Sequence, residues 1–406
     1  MENKIQRTIL TQNKERKNVM NKKKIGIIGG GISGTALGYH LSLYDNAEIV
    51  IFEKDTIGGA STAKSAGTVC LFDDSIKNRY WDVRLYGFES YLKMEAEEKG
   101  SAGFDKTGTL VVATNEQVEE TIKTGIALAK AAGYTGEYIT DKERIHELLP
   151  DISTENILGA GYTADDGYFD GTMISNTYAK KFQKNGGVIK TGVKVTEILK
   201  EGNKVTGLVT SEGEKYDFDV VVDCTGPWSK FTGDMVGMDV PIWHTKAEAF
   251  FLCPPGKKLD YTFPVLKYPE FYALRAGDNI FICKSHLSMN LDDPMHAGQW
   301  DPDKLPATGG TDDYFIDFLL DQLEAKVPGI VDSGLVSSWL SYRAEPKDFW
   351  PILGETPVEG YMLSTGFGGN GVIEAPAATR DLAKFIMIGE ASPLLENWSF
   401  KRLLNK

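Results

Sequence analysis

Lys24-Ile25-Gly26-Ile27-Ile28-Gly29-Gly30-Gly31-Ile32-Ser33-Gly34 is the stretch from which the fold of this chain is read. Lys24 to Ile28 is a short apolar run that reads as a buried strand. Gly29, Gly31 and Gly34 then stand in G-x-G-x-x-G spacing. Thr35 to Leu43 follows with helical apolar spacing, and a second apolar run, Ala47 to Phe52, ends at Glu53. Strand, glycine turn, helix, strand and acid, in that order, form the context in which the spacing signals dinucleotide binding. Gly29 permits the tight turn, Gly31 lets the main chain approach a pyrophosphate, and Gly34 lets helix and strand pack closely. Ile32 and Ser33 open the helix, where N–H groups and the positive dipole end favour phosphate. Glu53, with Lys54 beside it, is suited to accept from a ribose hydroxyl. A glycine turn in an ordinary α/β domain would not explain Glu53.

At 406 residues the chain is long enough for two or three domains and a large core. No run of 18 uncharged apolar residues occurs, so no transmembrane helix is expected. The first 24 residues carry eight Lys or Arg and two Glu, with no apolar stretch of signal-peptide length. Residues 1–23 are therefore expected to be a basic, disordered tail, or a stretch upstream of a start at Met20. The chain after residue 24 keeps 36 of the 44 basic and 55 of the 57 acidic residues, a net charge of −19. Nucleic acid is not the expected partner of such a surface. Cys70, Cys224, Cys253 and Cys283 are widely spaced, and the five histidines form no ligand pattern. Neither a metal site nor a disulfide framework is expected, and a reducing cytoplasm is the simplest setting.

Along the chain, Ser75 to Glu98 reads as one long helix, Gly108 to Ala113 as a strand, and Asn115 as the cap of a helix through Ala132. Gly159 to Asp170 reads as a loop or hairpin, Thr172 to Asn185 as a helix, and Val193 to Phe218 as a meander. Asp219 to Cys224 is a strongly apolar strand running into Thr225-Gly226-Pro227-Trp228-Ser229. Short aromatic strands then prevail from Pro241 to Ser338. After Gly334 the pattern returns to strand, glycine loop (Gly366-Phe367-Gly368-Gly369-Asn370-Gly371) and helix.

This arrangement resembles the FAD-dependent amine and amino-acid oxidoreductases of the D-amino-acid oxidase, glycine oxidase and sarcosine oxidase type. Five segments carry the resemblance, in the family's order, over Lys24 to Leu404. They are the glycine fingerprint with Glu53; Gly58-Gly59-Ala60-Ser61-Thr62-Ala63-Lys64-Ser65-Ala66-Gly67; Asp166 to Asp170; Asp223 to Ser229; and Trp339 to Gly354 with Gly366 to Gly371. Ala344, Gly171 and Phe367 depart from the family's usual residues, which bears on the substrate more than on the cofactor.

The resemblance implies an α/β fold. A Rossmann-like FAD-binding domain would be assembled from residues 24–100, 151–235 and 335–406. A β-sheet-rich substrate domain would come from residues 101–150 and 236–334. It implies FAD contacts at Ala60, Ser61, Ser65, Ala66 and Gly67, at position 194 within Val193-Lys194-Val195, at Thr225, Gly226 and Trp228, and at Arg343 and Gly368, Gly369, Asn370, Gly371 and Val372. No Cys or His follows Arg343, so the FAD is expected to be non-covalent.

The implied activity is oxidation of a C–N bond in a small amino acid or secondary amine (glycine, sarcosine, proline or D-amino acid) by hydride transfer to flavin N5. Arg343 matches the family's carboxylate-binding arginine; the alternative is an ion pair with Glu345 or Asp348. Arg275 is a second candidate, and Tyr272 and Tyr261 are candidates for an aromatic wall. Lys284 and Ile282 fit equally the register of an oxygen-activating lysine, so the reading favours an acceptor other than oxygen. FAD-dependent oxidation of a hydroxy acid (2-hydroxyglutarate or glycerol 3-phosphate), a non-catalytic flavoprotein assembly factor and an NAD-dependent dehydrogenase stay open, as does a homo-oligomer.

Overall fold

Ile25, Ile27 and Ile51 are wholly buried because their strands lie inside a sheet covered on both faces. This is seen in a computed structural model that describes residues 22–74, 80–254, 259, 261–284, 297–298, 301–304, 309–330 and 333–404. The expected basic tail up to residue 21, and the expected helix start at Ser75, lie outside these residues. The six-stranded sheet runs in the order Ile352–Glu355, Tyr361–Thr365, Val220–Asp223, Lys23–Ile28, Ala47–Glu53, Val188–Thr191. Its neighbours are parallel except the first pair. Helix Ile32–Leu41 packs against helices Gly171–Lys184 and Gly371–Ile388, and Trp81–Glu97 packs on the last of these. N- and C-terminal segments thus share one core.

A second sheet of nine strands contains Ile242–Cys253, Asn279–Lys284, Phe271–Ala276, Val265–Lys267, Thr109–Ala113, Gly159–Thr163 and Glu137–Ile139 in spatial order, with Ala297–Gly298 at one end. The long strand Gly334–Pro346 pairs antiparallel along Ile242–Cys253. Helix Asp313–Lys326 lays Phe315, Leu319 and Leu323, one turn apart, on Phe250, Leu252, Ile280 and Ile282. Phe281 and Cys283 therefore face the opposite side of the sheet.

Gly159 to Asp170 is not a hairpin. Gly159–Thr163 pairs with Thr109–Ala113, whereas Gly167–Tyr168 pairs with Thr68–Val69. Between them the buried Asp166 carboxylate accepts the Leu71 N–H at 2.7 Å, which draws the chain away from a local turn. Sheet membership also cuts across the expected boundaries, since Gly159–Thr163 and Gly334–Pro346 belong to the nine-stranded sheet. Among the described residues no helix is long and apolar enough to cross a membrane.

Candidate active site

The glycine turn joins strand Lys23–Ile28 to helix Ile32–Leu41. Gly29 has φ +106°, and a Cβ there would lie 2.6 Å from the Cys224 carbonyl oxygen. A Cβ on Gly34 would lie 1.9 Å from the Gly29 carbonyl oxygen, so only glycine lets the helix approach its own turn. Gly31 differs. An added Cβ would meet only Thr62 Oγ1, at 3.2 Å, which leaves a small cradle open to the cavity in front of the helix. Ser33 Oγ donates to the Ser364 carbonyl at 3.1 Å and lies 2.7 Å from Ser364 Oγ. Glu53 accepts main-chain N–H bonds from Gly30 at 2.7 Å and Asp55 at 2.8 Å. Burial raises the Glu53 pKa, and these two donors oppose it.

A cavity of about 490 Å³ runs from this turn to the nine-stranded sheet. Around Glu53 it is closed by Asp303, which reaches across from the segment between the two long strands of that sheet. Lys54 and Lys194 both ion-pair with its carboxylate, Lys194 at 3.2 Å. Trp228 Nε1–H donates to it at 2.7 Å, and Lys54 Nζ stands 4.3 Å from the Trp228 ring centre. Burial raises the Asp303 pKa, but these donors outweigh it and hold it at about 2. The turn bearing Trp228 is itself fixed by buried Asp223. One oxygen of that carboxylate accepts from Thr225 N–H at 2.8 Å and Thr225 Oγ1 at 2.6 Å. The other accepts from Tyr361 Oη at 2.8 Å.

At the other end the nine-stranded sheet contributes Tyr272, Cys283, Trp339, Ser341 and Arg343. Arg343 is enclosed except toward the cavity, and its buried Nη1 has no hydrogen-bond partner. Burial disfavours its charge, but Tyr272, Cys283 and Glu345 raise its pKa further. Asp348 is held instead by Arg402, at 2.8 and 3.0 Å. The C-terminal glycine loop wraps these side chains. A Cβ on Gly369 would stand 3.1 Å from Arg343 Nη1. One on Gly368, at φ +54°, would stand 2.3 Å from Glu345 Oε2.

The same end of the cavity holds a group of buried charges. Arg84 Nη1 pairs with Asp73 Oδ2 at 2.8 Å, and Lys267 Nζ lies 3.7 Å from the same oxygen. Arg84 Nη2 also donates to the Cys70 carbonyl at 3.1 Å. Asp74 lines the cavity beside them, and its buried Oδ2 has no partner. Burial and the neighbouring Asp73 push Asp74 up to about 7, against the pull of Lys267 and Arg84.

Of the residues singled out from sequence, Gly29, Gly31, Ile32, Ser33, Glu53, Lys54, Ala60, Ser61, Ser65, Ala66, Lys194, Thr225, Gly226, Trp228, Tyr272, Arg343 and Gly368 to Val372 line this one cavity. Gly34 and Gly67 do not line it. A Cβ on Gly67 would stand 1.7 Å from the Phe169 carbonyl oxygen, so its place is structural. Arg275 is also absent from the lining, because carbonyls occupy its guanidinium: Gly277 at 2.8 Å, Leu259 at 3.0 Å and Tyr261 at 3.2 Å. Tyr261 donates to Asp151 at 2.8 Å and is not part of the wall. Lys284 lies on the helix side of the sheet, 5.4 Å from the Phe315 ring and 5.2 Å from that of Phe318. Sequence reading missed Asp73, Asp74, Arg84, Lys267 and Asp303. The available signal was two adjacent acids closing the apolar run Cys70 to Phe72, and an arginine on the apolar side of the following helix.

A family model described as FAD dependent oxidoreductase matches residues 24–385. Dimethylglycine dehydrogenase of Mus musculus is 26% identical over 380 residues, covering 90% of this chain and 42% of that protein. The chain thus spans about two fifths of the length of that relative. Glycine oxidase of Bacillus licheniformis is 24% identical over 379 residues, covering 92% of this chain and 94% of that one. Among solved structures, L-proline dehydrogenase from P. horikoshii superposes with TM-score 0.76 at 21% identity, covering 94% of this chain and 98% of that chain. The shared architecture is that of the two sheets described above.

Proposed function

Since the chain belongs to the FAD-dependent oxidoreductase family, we propose that it oxidises a C–N bond in a small amino acid or secondary amine, of the glycine, sarcosine, proline or D-amino-acid class. The observation that carries this reading is the unpartnered Nη1 of Arg343 on the cavity wall. A guanidinium that leaves a buried N–H unsatisfied is a poor structural element. A substrate carboxylate completes its hydrogen bonds bidentately. Tyr272, on strand Phe271–Ala276 of the same sheet, reaches the guanidinium and helps to hold it in place.

The residues present fit FAD. The open cradle at Gly31 and the N-terminus of helix Ile32–Leu41 would take the diphosphate. Glu53 would take a ribose hydroxyl, Lys194 and Trp228 would flank the adenosine end, and Gly368 to Val372 would border the isoalloxazine ring. FAD held there without a covalent link would supply the two-electron acceptor for oxidation of the C–H beside nitrogen. Arg343 contributes by fixing the carboxylate, and so the position of the adjacent carbon.

An anaerobic titration of the holoenzyme tests this. Glycine, sarcosine, proline or a D-amino acid should bleach the FAD absorbance, and admitting air then reports whether oxygen is the acceptor. Bleaching by 2-hydroxyglutarate or glycerol 3-phosphate alone would overturn the amine reading.

A further inference from the structure

Resting on that reading, we propose that Asp74 receives the ammonium end of a zwitterionic substrate and takes its proton, while Arg343 holds the carboxylate. Among the described residues four groups on this cavity's wall have a buried polar atom without a hydrogen-bond partner: Arg343 Nη1, Arg84 Nε and Nη1, Trp339 Nε1 and Asp74 Oδ2. Asp74 is the one acceptor among them, and it and Arg343 are of opposite charge. An amino acid carries the two complementary groups. Asp73, the other carboxylate of the pair, is committed to Arg84 at 2.8 Å and faces Lys267 at 3.7 Å. Asp74 is the member of the pair with an oxygen still available to an incoming N–H.

The charged groups around Asp74 come from three elements: Asp73 on its own segment, Arg84 on helix Trp81–Glu97 and Lys267 on strand Val265–Lys267. With both aspartates ionised, these four side chains are neutral as a set, and the buried acids Asp166 and Glu374, which also act on Arg84, add no positive charge to oppose a cation. In the step proposed, an N–H bond of the substrate breaks, an O–H bond forms on Asp74, and the electron pair stays on nitrogen. That pair makes the neighbouring C–H a hydride donor to FAD, the oxidant already named. Arg84 and Lys267 keep their charge and favour return of the proton to solvent after turnover. An Asp74 titrating at about 7 is matched to this exchange. The substrate class narrows accordingly to amino acids with an ionisable amine, since a hydroxy acid brings no cation to Asp74.

The test uses holoenzyme and two non-oxidisable carboxylates, with binding followed by the change in FAD absorbance and by calorimetry. Dimethylsulfonioacetate is cationic at the amine position, whereas (methylthio)acetate is neutral there. From about pH 8 to about pH 6 the affinity of wild type for the cationic probe should fall roughly tenfold relative to the neutral one, as Asp74 becomes protonated. Asp74→Asn should abolish that dependence and weaken the cationic probe about tenfold or more, while the neutral probe stays within about twofold. The acid limb of kcat/KM for sarcosine should vanish in the same variant. Equal pH dependence for the two probes, or equal loss of both in Asp74→Asn, overturns the proposal. If the variant does not fold, the wild-type pH series alone decides. Amino acids that bleach FAD without probe discrimination overturn only this step; no bleaching by any amino acid overturns the amine reading as well.

Discussion

Ser33 and Ser364 meet hydroxyl to hydroxyl at 2.7 Å, although 331 positions separate them in the chain. Ser33 opens the first helix, in front of the Gly31 cradle. Ser364 is the penultimate residue of strand Tyr361–Thr365, which leads into the C-terminal glycine loop. The bond therefore ties the two halves of the proposed FAD site to each other. Replacing Ser364 by Ala leaves Ser33 its bond to the carbonyl of residue 364, so the expected loss is only about 1 kcal/mol. Ser364→Val adds methyl groups at a fully packed contact and should destabilise by about 1–3 kcal/mol, read from urea unfolding of the holoenzyme.

Arg343→Ala should weaken acid substrates by about 2 kcal/mol or more, with FAD content unchanged. Lysine at this position retains charge but not the planar fork, and should recover only part of the loss. Equilibrium binding of sarcosine or proline analogues measures both. Unchanged affinity in Arg343→Ala would remove the anchoring role.

Gly368→Ala is expected to be more damaging than Gly371→Ala. Its φ of +54° disfavours any side chain, and the new Cβ would strike the Glu345 carboxylate. At Gly371 the nearest atom, Phe367 Cβ, would be 3.4 Å away, an ordinary contact. A drop in thermal midpoint for Gly368→Ala but not Gly371→Ala is the outcome to look for.

Asp303 gathers Lys54, Lys194 and Trp228 at the mouth of the cavity. Removing its charge with Asp303→Asn should quicken FAD release several-fold. The ion pairs are partly exposed, so salt screens them. Wild-type release should therefore quicken with ionic strength, and the variant should respond less. Stopped-flow recovery of FAD fluorescence reports the rates.

His40 is buried among Tyr39, Tyr86 and Tyr178, and burial together with Arg380 pushes its pKa down to about 4. The folded state thus binds fewer protons than the unfolded state between about 4 and 6.5. Stability from a neutral His40 is present above that window and is lost as pH falls through it, by up to about 3 kcal/mol. Asp74 and Asp166, both raised to about 7 by burial, act in the opposite sense, favouring the fold at low pH. His40→Phe should therefore remove the acid-side loss while leaving their contribution. The comparison is the difference in unfolding free energy between wild type and variant from about pH 7 to about pH 5.

The first strand, turn and helix were legible because their signal is local: apolar run, glycine spacing and acid all fall within Lys24 to Glu53. Arg343 was visible through its neighbours Trp339 to Ala344. Asp73, Asp74, Arg84 and Lys267 were not, since they meet only when a strand near position 267 reaches a segment near position 73. Alternation along Asn279–Lys284 does not say which face is covered; helix Asp313–Lys326 covers the face of Ile282 and Lys284, which leaves Cys283 toward the cavity. Gly368 and Gly369 leave room for Glu345 and Arg343, two side chains from a strand more than twenty positions earlier.

The strand Lys23–Ile28 of the six-stranded sheet is made more than 330 residues before the strand bearing Ser364. Val220–Asp223 separates them in space and comes midway in synthesis. A nascent chain halted before residue 361 carries the glycine fingerprint intact, yet lacks the wall of the cavity formed by Ser364 to Ile373. The proposed FAD site is therefore complete only once Ser364 to Ile373 have joined a core begun more than 330 residues earlier, and a chain short of them leaves apolar surface uncovered, the kind of species that aggregates.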